Sequence, residues 1–483
     1  MADPFDLLVV GGGVIGCAIA RELSRFRVSL CVVEMGGDVA SGVSKANSGV
    51  IHSGINSNPG SLKAKTCIEG NGILPSMAKE LNVPVSMSGK IVIAKNDDEL
   101  GKLEEQESWG LTNGVPGMRR IDENKIHKME PNITGKYGLW VPTAGIVSPY
   151  ALTIALAESA VENGAKFLLD TKVMGITARR GTFDVETTRG RLNARSVVNS
   201  AGLHCDDIAK MVGLDTYVVY PSRGEYHILD KEYSRLISRP VYPVPPADSN
   251  VLGVHLTTTM EGNILVGPSA EFISDKDDTK TTREVMDQLI KEVRELLPSF
   301  PVKGVIKSYS GVRCKLRDRN GKAMTDFVME EGPAGFINLM GIESPGLTGS
   351  PAIARRVREM IGRRINLVAK ERFNATGYRY IRLGNVSREK RAEIVKKNPA
   401  YGEVVCRCED VTRGEIEEGL ANPLGAKTMV SVKYRCRAMM GRCQAGFCGP
   451  QIAQIIEKSS GMDIADVVLK GKDSPLFLKK VKG

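Results

Sequence analysis

An α/β architecture with a small α-rich module at its C-terminus is predicted for this chain by three observations. A strand, a glycine turn, a helix, a second strand and a terminal acid follow one another within the first 34 residues. Strand-like apolar alternation returns in Gly89–Ala94 (GKIVIA) and Asn263–Val266 (NILV). Five of the ten cysteines fall in the last 78 residues.

The 483 residues allow two to four domains at roughly 100–200 residues each. With 42% hydrophobic and 25% charged residues, wholesale disorder and coiled-coil architecture are excluded. No apolar run is long enough to span a bilayer, and MADPFDLLVVGGG has no basic region ahead of its apolar stretch. The expected location is therefore cytoplasmic, where thiols stay reduced or bind metal. Charge is skewed too. Residues 371–483 hold 21 Lys+Arg against 13 Asp+Glu, a net +8, which leaves +2 for the rest.

The first element is the apolar strand Asp6–Val10, running into Gly11-Gly12-Gly13-Val14-Ile15-Gly16. Ile15, Ile19 and Leu23 recur at helical spacing, and a second apolar strand, Val28–Val33, ends at Glu34. This order is a Rossmann-like dinucleotide fingerprint. Gly11 permits the tight turn, Gly13 lets backbone approach a pyrophosphate, and Gly16 lets helix and strand pack closely. The helix start at Val14 and Ile15 offers free N–H groups to phosphate oxygens. Glu34 would accept from the adenosine ribose hydroxyls, and an acid there disfavours the 2′-phosphate of NADP.

The next segment, Val39–Gly54 (VASGVSKANSGVIHSG), is small, polar and helix-breaking, where an NAD-dehydrogenase domain would continue its βαβ alternation. From here the chain resembles the D-amino-acid-oxidase-like family of flavoproteins, over residues 5–365. The resemblance implies FAD as cofactor. By it, Ser44, Lys45, Asn47, Ser48 and Gly49 pass under the pyrophosphate and along the flavin. Val173, closing Asp170–Val173, faces adenine, and Ala201 and Gly202 end the returning strand Val197–Gly202. Gly341, Gly346, Leu347 and Thr348, in the GIESPGLT block, reach the pyrimidine edge of the flavin. The implied fold is a discontinuous FAD-binding domain (1–75, 160–205 and 335–370) with an inserted antiparallel-sheet substrate domain (76–159 and 206–334).

Five histidines are candidates for chemistry. His52, just after the SKANSG segment, is expected to act as general base, because a near-neutral imidazole can take a substrate hydroxyl proton. His255, in GVHLTTTMEG, is expected either to contact substrate or to be structural. His127 reads as a solvated helix residue, and His204 and His227 are left undecided. An anionic substrate needs cations. Arg313, in SYSGVRCKLRDRNG, stands where the family places an arginine facing the flavin, with a fork suited to carboxylate or phosphate. Arg223, in YPSRGEY, is a second candidate or else a structural partner of Glu225. Cys314 reads as a packing residue.

Residues 371–400 form a polar linker with a short helix, followed by a cysteine-rich domain over 401–483. Its spacings are Cys406-x-Cys408 and Cys443-x4-Cys448, 34 residues apart. A zinc ribbon with two C-x2-C knuckles fits these spacings less well, so zinc, an iron–sulfur cluster and a redox-sensing thiol site all stand at this point. Cys448 precedes Gly449-Pro450 and a helix with Ile452, Ile455 and Ile456 on one face. Arg407, Arg435, Arg437 and Arg442 are expected to offset the charge of thiolates. The block is similar to the bacterioferritin-associated-ferredoxin-like [2Fe–2S] domain. That domain ends the catalytic subunits of anaerobic glycerol-3-phosphate dehydrogenases. The similarity implies Cys406, Cys408, Cys443 and Cys448 as ligands, with Cys436 as an extra thiol.

A flavin takes two electrons as hydride and a [2Fe–2S] centre passes one at a time, so the combination suits a dehydrogenase that exports electrons. The expected substrate is a small anionic secondary alcohol, sn-glycerol 3-phosphate, with L-2-hydroxyglutarate, an amine, or a non-catalytic electron-transfer role as alternatives. Relatives work with partner subunits, so a hetero-oligomer is expected, with membrane contact at the inner face only peripheral and through a partner. No basic helix or aromatic-basic repeat supports nucleic-acid binding.

Overall fold

Residues 4–245 and 253–478 are described by a computed structural model of the chain. Residues 1–3 of the first expected segment, 246–252 of the substrate segment and 479–483 of the C-terminal segment lie outside the described residues. Strand Phe5–Val10 pairs in parallel with Leu30–Val33 on one side and Gly190–Asn199 on the other. Lys166–Leu168 and Phe336–Met340 extend the parallel set outward. Val173–Arg179, Thr182–Thr187 and Val328–Glu331 add antiparallel strands to complete an eight-stranded sheet.

Both faces of the Phe5–Val10 strand are buried, as its unbroken apolar run requires. Leu7 and Val9 pack with Ile19, Leu74, Leu156 and Ile353 from helices Val14–Leu23, Leu62–Glu80, Pro149–Glu162 and Gly346–Gly362. Leu8 and Val10 face Phe183, Val185 and Phe336 on the other side. Helix Pro149–Glu162 thus joins the nucleotide-binding core, although the boundary expected after residue 159 leaves all but its last three residues in the substrate segment. The division we propose moves ahead of Pro149.

The second layer is a nine-stranded sheet. Its two longest strands, Tyr217–Leu229 and Val305–Asp318, pair antiparallel along most of their length. Antiparallel order is broken once, where Val241–Pro243 runs parallel to Lys90–Ala94. Helix Arg283–Val293 covers its outer face through Leu289 and Val293, which pack on Leu256 and Val266.

Within 371–400, helix Arg388–Lys397 buries no side chain, in keeping with a linker. The C-terminal region has its own core, built from Ile416, Val432, Ile452 and Ile456. Those residues come from helices Arg413–Leu420, Met429–Cys436 and Gly449–Ser460. Thr412 and Glu415 close a capping box on the first of them, which satisfies two of its otherwise open N–H groups. Among the described residues no helix is long and apolar enough to cross a membrane.

Candidate active site and cysteine cluster

The two sheets and the C-terminal region enclose one cleft of about 2160 Å³. At its floor Gly11 turns the chain with φ +104°, where a Cβ would stand 2.7 Å from the Ser200 carbonyl oxygen. Gly16 does not line the cleft. A Cβ there would lie 2.0 Å from the Gly11 oxygen, so its role is the close approach of helix and turn. The Val14 N–H, first in its helix, donates to the Ser44 hydroxyl at 2.8 Å. The two Glu34 oxygens accept the N–H groups of Gly12 (2.6 Å) and Gly36 (2.7 Å), while burial pushes the carboxyl pKa up. Asn47 stitches its own loop, donating to the carbonyls of Val43 and Ser44 and accepting from the Gly49 N–H.

Gly11, Gly13, Val14, Ile15, Glu34, Ser44, Lys45, Asn47, Ser48, Val173, Ala201, Gly202, Gly346 and Leu347 all face this cleft. Gly49, Gly341 and Thr348 do not. Gly49 and Gly341 supply left-handed backbone beneath it, at φ +68° and +67°. Thr348 is fully buried, and its hydroxyl accepts the His52 N–H at 2.9 Å. A helix N-terminus with its first N–H on Ser44, side-chain-free glycines and the half-buried Lys45 make a cradle that fits a dinucleotide.

The far half of the cleft gathers His52, Lys90, Tyr242, His255, Arg313 and Ser344. Asn71 Nδ2 donates to the His52 carbonyl (2.9 Å), and the ring Nε2 lies 3.2 Å from the Ser344 hydroxyl. Burial, with Lys90 nearby, pushes the His52 pKa down to about 3, so the ring is neutral but a weaker base than the near-neutral imidazole expected from the sequence. His255 stacks on Tyr242 with ring centroids 3.8 Å apart, and its buried Nδ1 has no hydrogen-bond partner. Arg313 donates from Nη2 to the Ser269 carbonyl (3.2 Å), and its buried Nη1 is unpaired.

Lys90 is the residue the sequence reading missed. It is fully buried, its Nζ has no hydrogen-bond partner, and it lies 4.6 Å from the Tyr242 ring centroid. Burial lowers its pKa to about 8. A buried ammonium without an acid costs several kcal/mol unless something pairs with it. Lys90 and Arg313 together call for an anionic ligand. The available signal was a lone lysine at the head of the apolar run KIVIA.

Two expectations are corrected, for Arg223 as a substrate residue and for the arginines near the cysteines, and the open question of His227 is answered. Arg223 does not line the cleft: it is 2% exposed and ion-paired with Glu271 (2.5 Å), Asp278 (2.7 Å) and Glu225 (3.3 Å). His227 is likewise structural, held between Ser308 and the Met286 carbonyl. Three of the four arginines expected to offset the cysteines are paired elsewhere. Arg435 is buried against Asp38 and Glu158, Arg437 bonds Glu409 and Glu261, and Arg442 bonds Asp230 and Glu232. All of these pairs except Arg437–Glu409 bolt the C-terminal region to the rest of the chain.

Cys406 contacts Cys448 and Cys408 contacts Cys443, thiol to thiol. Among the described residues no three metal-ligating side chains converge on a single ion. Two facing pairs are instead the pattern a two-iron cluster uses. Met439, Gln444 and Ala445 adopt left-handed backbone, at φ +70°, +46° and +78°. N–H groups from this loop point at sulfur: Met439 at Cys406 and Cys448, Ala445 and Phe447 at Cys443. Inward N–H groups around negative sulfur fit a thiolate-bound cluster. Cys436 stands apart, donating to the Val432 carbonyl (3.1 Å), with burial raising its pKa to about 11.

Two family models match the chain. Residues 6–360 match the model of FAD dependent oxidoreductases, and residues 404–458 match the BFD-like [2Fe-2S] binding domain. A glycerol 3-phosphate dehydrogenase of Caloramator mitchellensis is 37% identical over 96% of both chains. The mitochondrial L-2-hydroxyglutarate dehydrogenase of Homo sapiens is 30% identical over 75% of this chain and 90% of its own. Among solved structures, the L-alpha-glycerophosphate oxidase of Mycoplasma pneumoniae with FAD bound superposes with a TM-score of 0.73 at 29% identity. It covers 79% of this chain and 100% of its own. The chain belongs to the FAD-dependent oxidoreductase family and is a dehydrogenase that binds FAD and, in its C-terminal domain, a [2Fe–2S] cluster.

Proposed function

We propose that the substrate is sn-glycerol 3-phosphate and the product dihydroxyacetone phosphate. The observation that carries this reading is the pair of unpaired cations, Lys90 and Arg313, in the same half-cleft as a neutral His52. Lys90 and Arg313 hold the anionic end, with His255 beside them. The substrate's secondary hydroxyl takes the place of the Ser344 hydroxyl at His52 Nε2 and gives its proton to that nitrogen. Bound FAD supplies the acceptor for the hydride leaving the same carbon. Cys406, Cys408, Cys443 and Cys448 would hold the [2Fe–2S] cluster, which would supply single-electron transfer to an acceptor.

Cys443 and Cys448 flank Phe447, which is 85% exposed, so the cluster loop is open to an acceptor protein. We take that acceptor to be a partner subunit, with any membrane contact made through it. The test is anaerobic addition of glycerol 3-phosphate, L-2-hydroxyglutarate and L-lactate in separate samples. Bleaching of oxidised-flavin absorbance by the first supports the proposal. Bleaching only by L-2-hydroxyglutarate moves the assignment to the 2-hydroxy acids, whose dehydrogenases are also among the relatives. No bleaching by any of the three overturns it.

A further inference from the structure

The loop that follows Glu34 is the floor of the C-terminal domain. A Cβ on Gly37 would stand 2.7 Å from the Lys470 carbonyl oxygen and 3.1 Å from Thr428 Cγ2. One residue on, Asp38 is bonded to the buried Arg435. Tyr434 packs on Tyr150 with ring centroids 4.7 Å apart, and Arg437 reaches the Tyr150 hydroxyl at 3.0 Å. The iron–sulfur domain is therefore seated on the same loop that carries the ribose-binding acid.

The domain also sends cations into the dinucleotide cleft. Lys433, on helix Met429–Cys436, lines it, and Lys470 lines its rim. Lys45, next to the Ser44 hydroxyl that holds the helix N-terminus, and Lys307, on the substrate sheet, line it too. None of the four has an acidic partner within ion-pair distance among the described residues. Mutual repulsion and burial show how crowded these charges are. Lys433 is pushed down to about 7 by burial together with Lys307, Arg437 and Lys45, and Lys45 to about 8 by burial together with Lys470, against the pull of Glu34 and Asp38. Ammonium groups drawn from three parts of the chain to one cleft, Lys45 among them beside a helix N-terminus, are the complement of a pyrophosphate.

We propose that the [2Fe–2S] domain is part of the FAD site, with Lys433 and, at the rim, Lys470 joining Lys45 and Lys307 in holding the diphosphate of the dinucleotide. The inference rests on the FAD assignment and adds residues to it from outside the flavoprotein fold. FAD retention then depends on an intact cluster domain, and by linkage bound FAD steadies that domain in return. Two cofactors that must exchange electrons would thus be assembled together.

The test is the rate of FAD release from the holoenzyme on dilution, followed by the rise in free-flavin fluorescence, at about 0.05 M and about 0.5 M salt. Iron and sulfide content are measured on the same samples. The K433Q/K470Q double variant should release FAD about tenfold faster at low salt, with a weaker response to salt and an unchanged iron content. Release at the parental rate, or faster release with the parental salt response, overturns the proposal. If the double variant loses iron, K433R/K470R decides. Parental release from that variant supports the proposal, and fast release overturns it. A parental protein purified without flavin would instead count against the FAD assignment itself.

Discussion

Lys90 Nζ lies 4.6 Å from the centre of the Tyr242 ring, and no acid neutralises it. The ring face offers partial compensation, worth about 0.5–2 kcal/mol for a cation over an aromatic. That is too little to offset the desolvation of an ammonium, which is of order several kcal/mol. The folded protein therefore keeps a charge in readiness for an anion.

The first prediction concerns Lys90→Met. Removing an unpaired buried charge while preserving volume should leave thermal stability equal or higher. The Michaelis constant for the anionic substrate should rise by about 10- to 100-fold, as expected for one lost charge-assisted contact of roughly 1.5–3 kcal/mol. The pH dependence follows by sign. The folded pKa of Lys90, about 8, is below the ordinary 10.5. Between those values the unfolded chain binds more protons, so this group makes stability rise with pH across that window. An anion needs the protonated form. Substrate affinity should therefore fall as pH climbs through about 8, and Lys90→Met should abolish that fall. A KM that is flat with pH in the parental protein would sink the assignment.

The second concerns His52→Asn, which keeps a hydrogen-bonding side chain but removes the base. Anaerobic stopped-flow flavin reduction should slow by about 10²- to 10⁴-fold. Because the His52 pKa is depressed to about 3, the acid limb of the parental profile should fall well below the pH at which free imidazole titrates. A limb near 6.5 would show that a different histidine is the base.

Much of this was legible in the sequence. Gly11, Gly16 and Glu34 carry their own explanation, because a turn, a close approach and an acid at fixed offsets have few other uses. Lys90 was not legible as a site residue. Whether a lysine at the start of an apolar strand faces water or a cleft depends on the strands beside it, which here are Tyr137–Val141 and Val241–Pro243. Arg223 failed as a substrate residue for the same reason: its partners Glu271 and Asp278 are 48 and 55 residues away. Likewise Arg435 lies beside the cysteines in the chain, yet bonds Asp38, 397 residues off. Local patterns reveal a motif, and long-range pairing decides what a charge is for.

The third prediction tests that pairing. Arg435→Met leaves Asp38 and Glu158 buried without a cation and should destabilise the protein by about 3–5 kcal/mol. Thermal unfolding followed by flavin fluorescence and by cluster absorbance should show both transitions shifted downward. The triple variant R435M/D38N/E158Q removes all three charges together and should recover most of the loss. If Arg435→Met unfolds like the parent, the clamp contributes nothing to holding the domain.

The last prediction separates the five late cysteines. Serine in place of Cys406, Cys408, Cys443 or Cys448 should deplete iron and acid-labile sulfide, since each removes one thiolate from a set of four. Cys436→Ala should keep the cluster. Its sulfur faces the Val432 carbonyl inside the helix and packs with Cys406, Ile416 and Val432, so the change removes one buried sulfur at a cost of about 1 kcal/mol. Full iron in a Cys443→Ser protein, or none in Cys436→Ala, would mean that Cys436 replaces one of the four. That outcome would require helix Met429–Cys436 to turn its last residue toward Met439, against the left-handed break at Arg437 that now ends it.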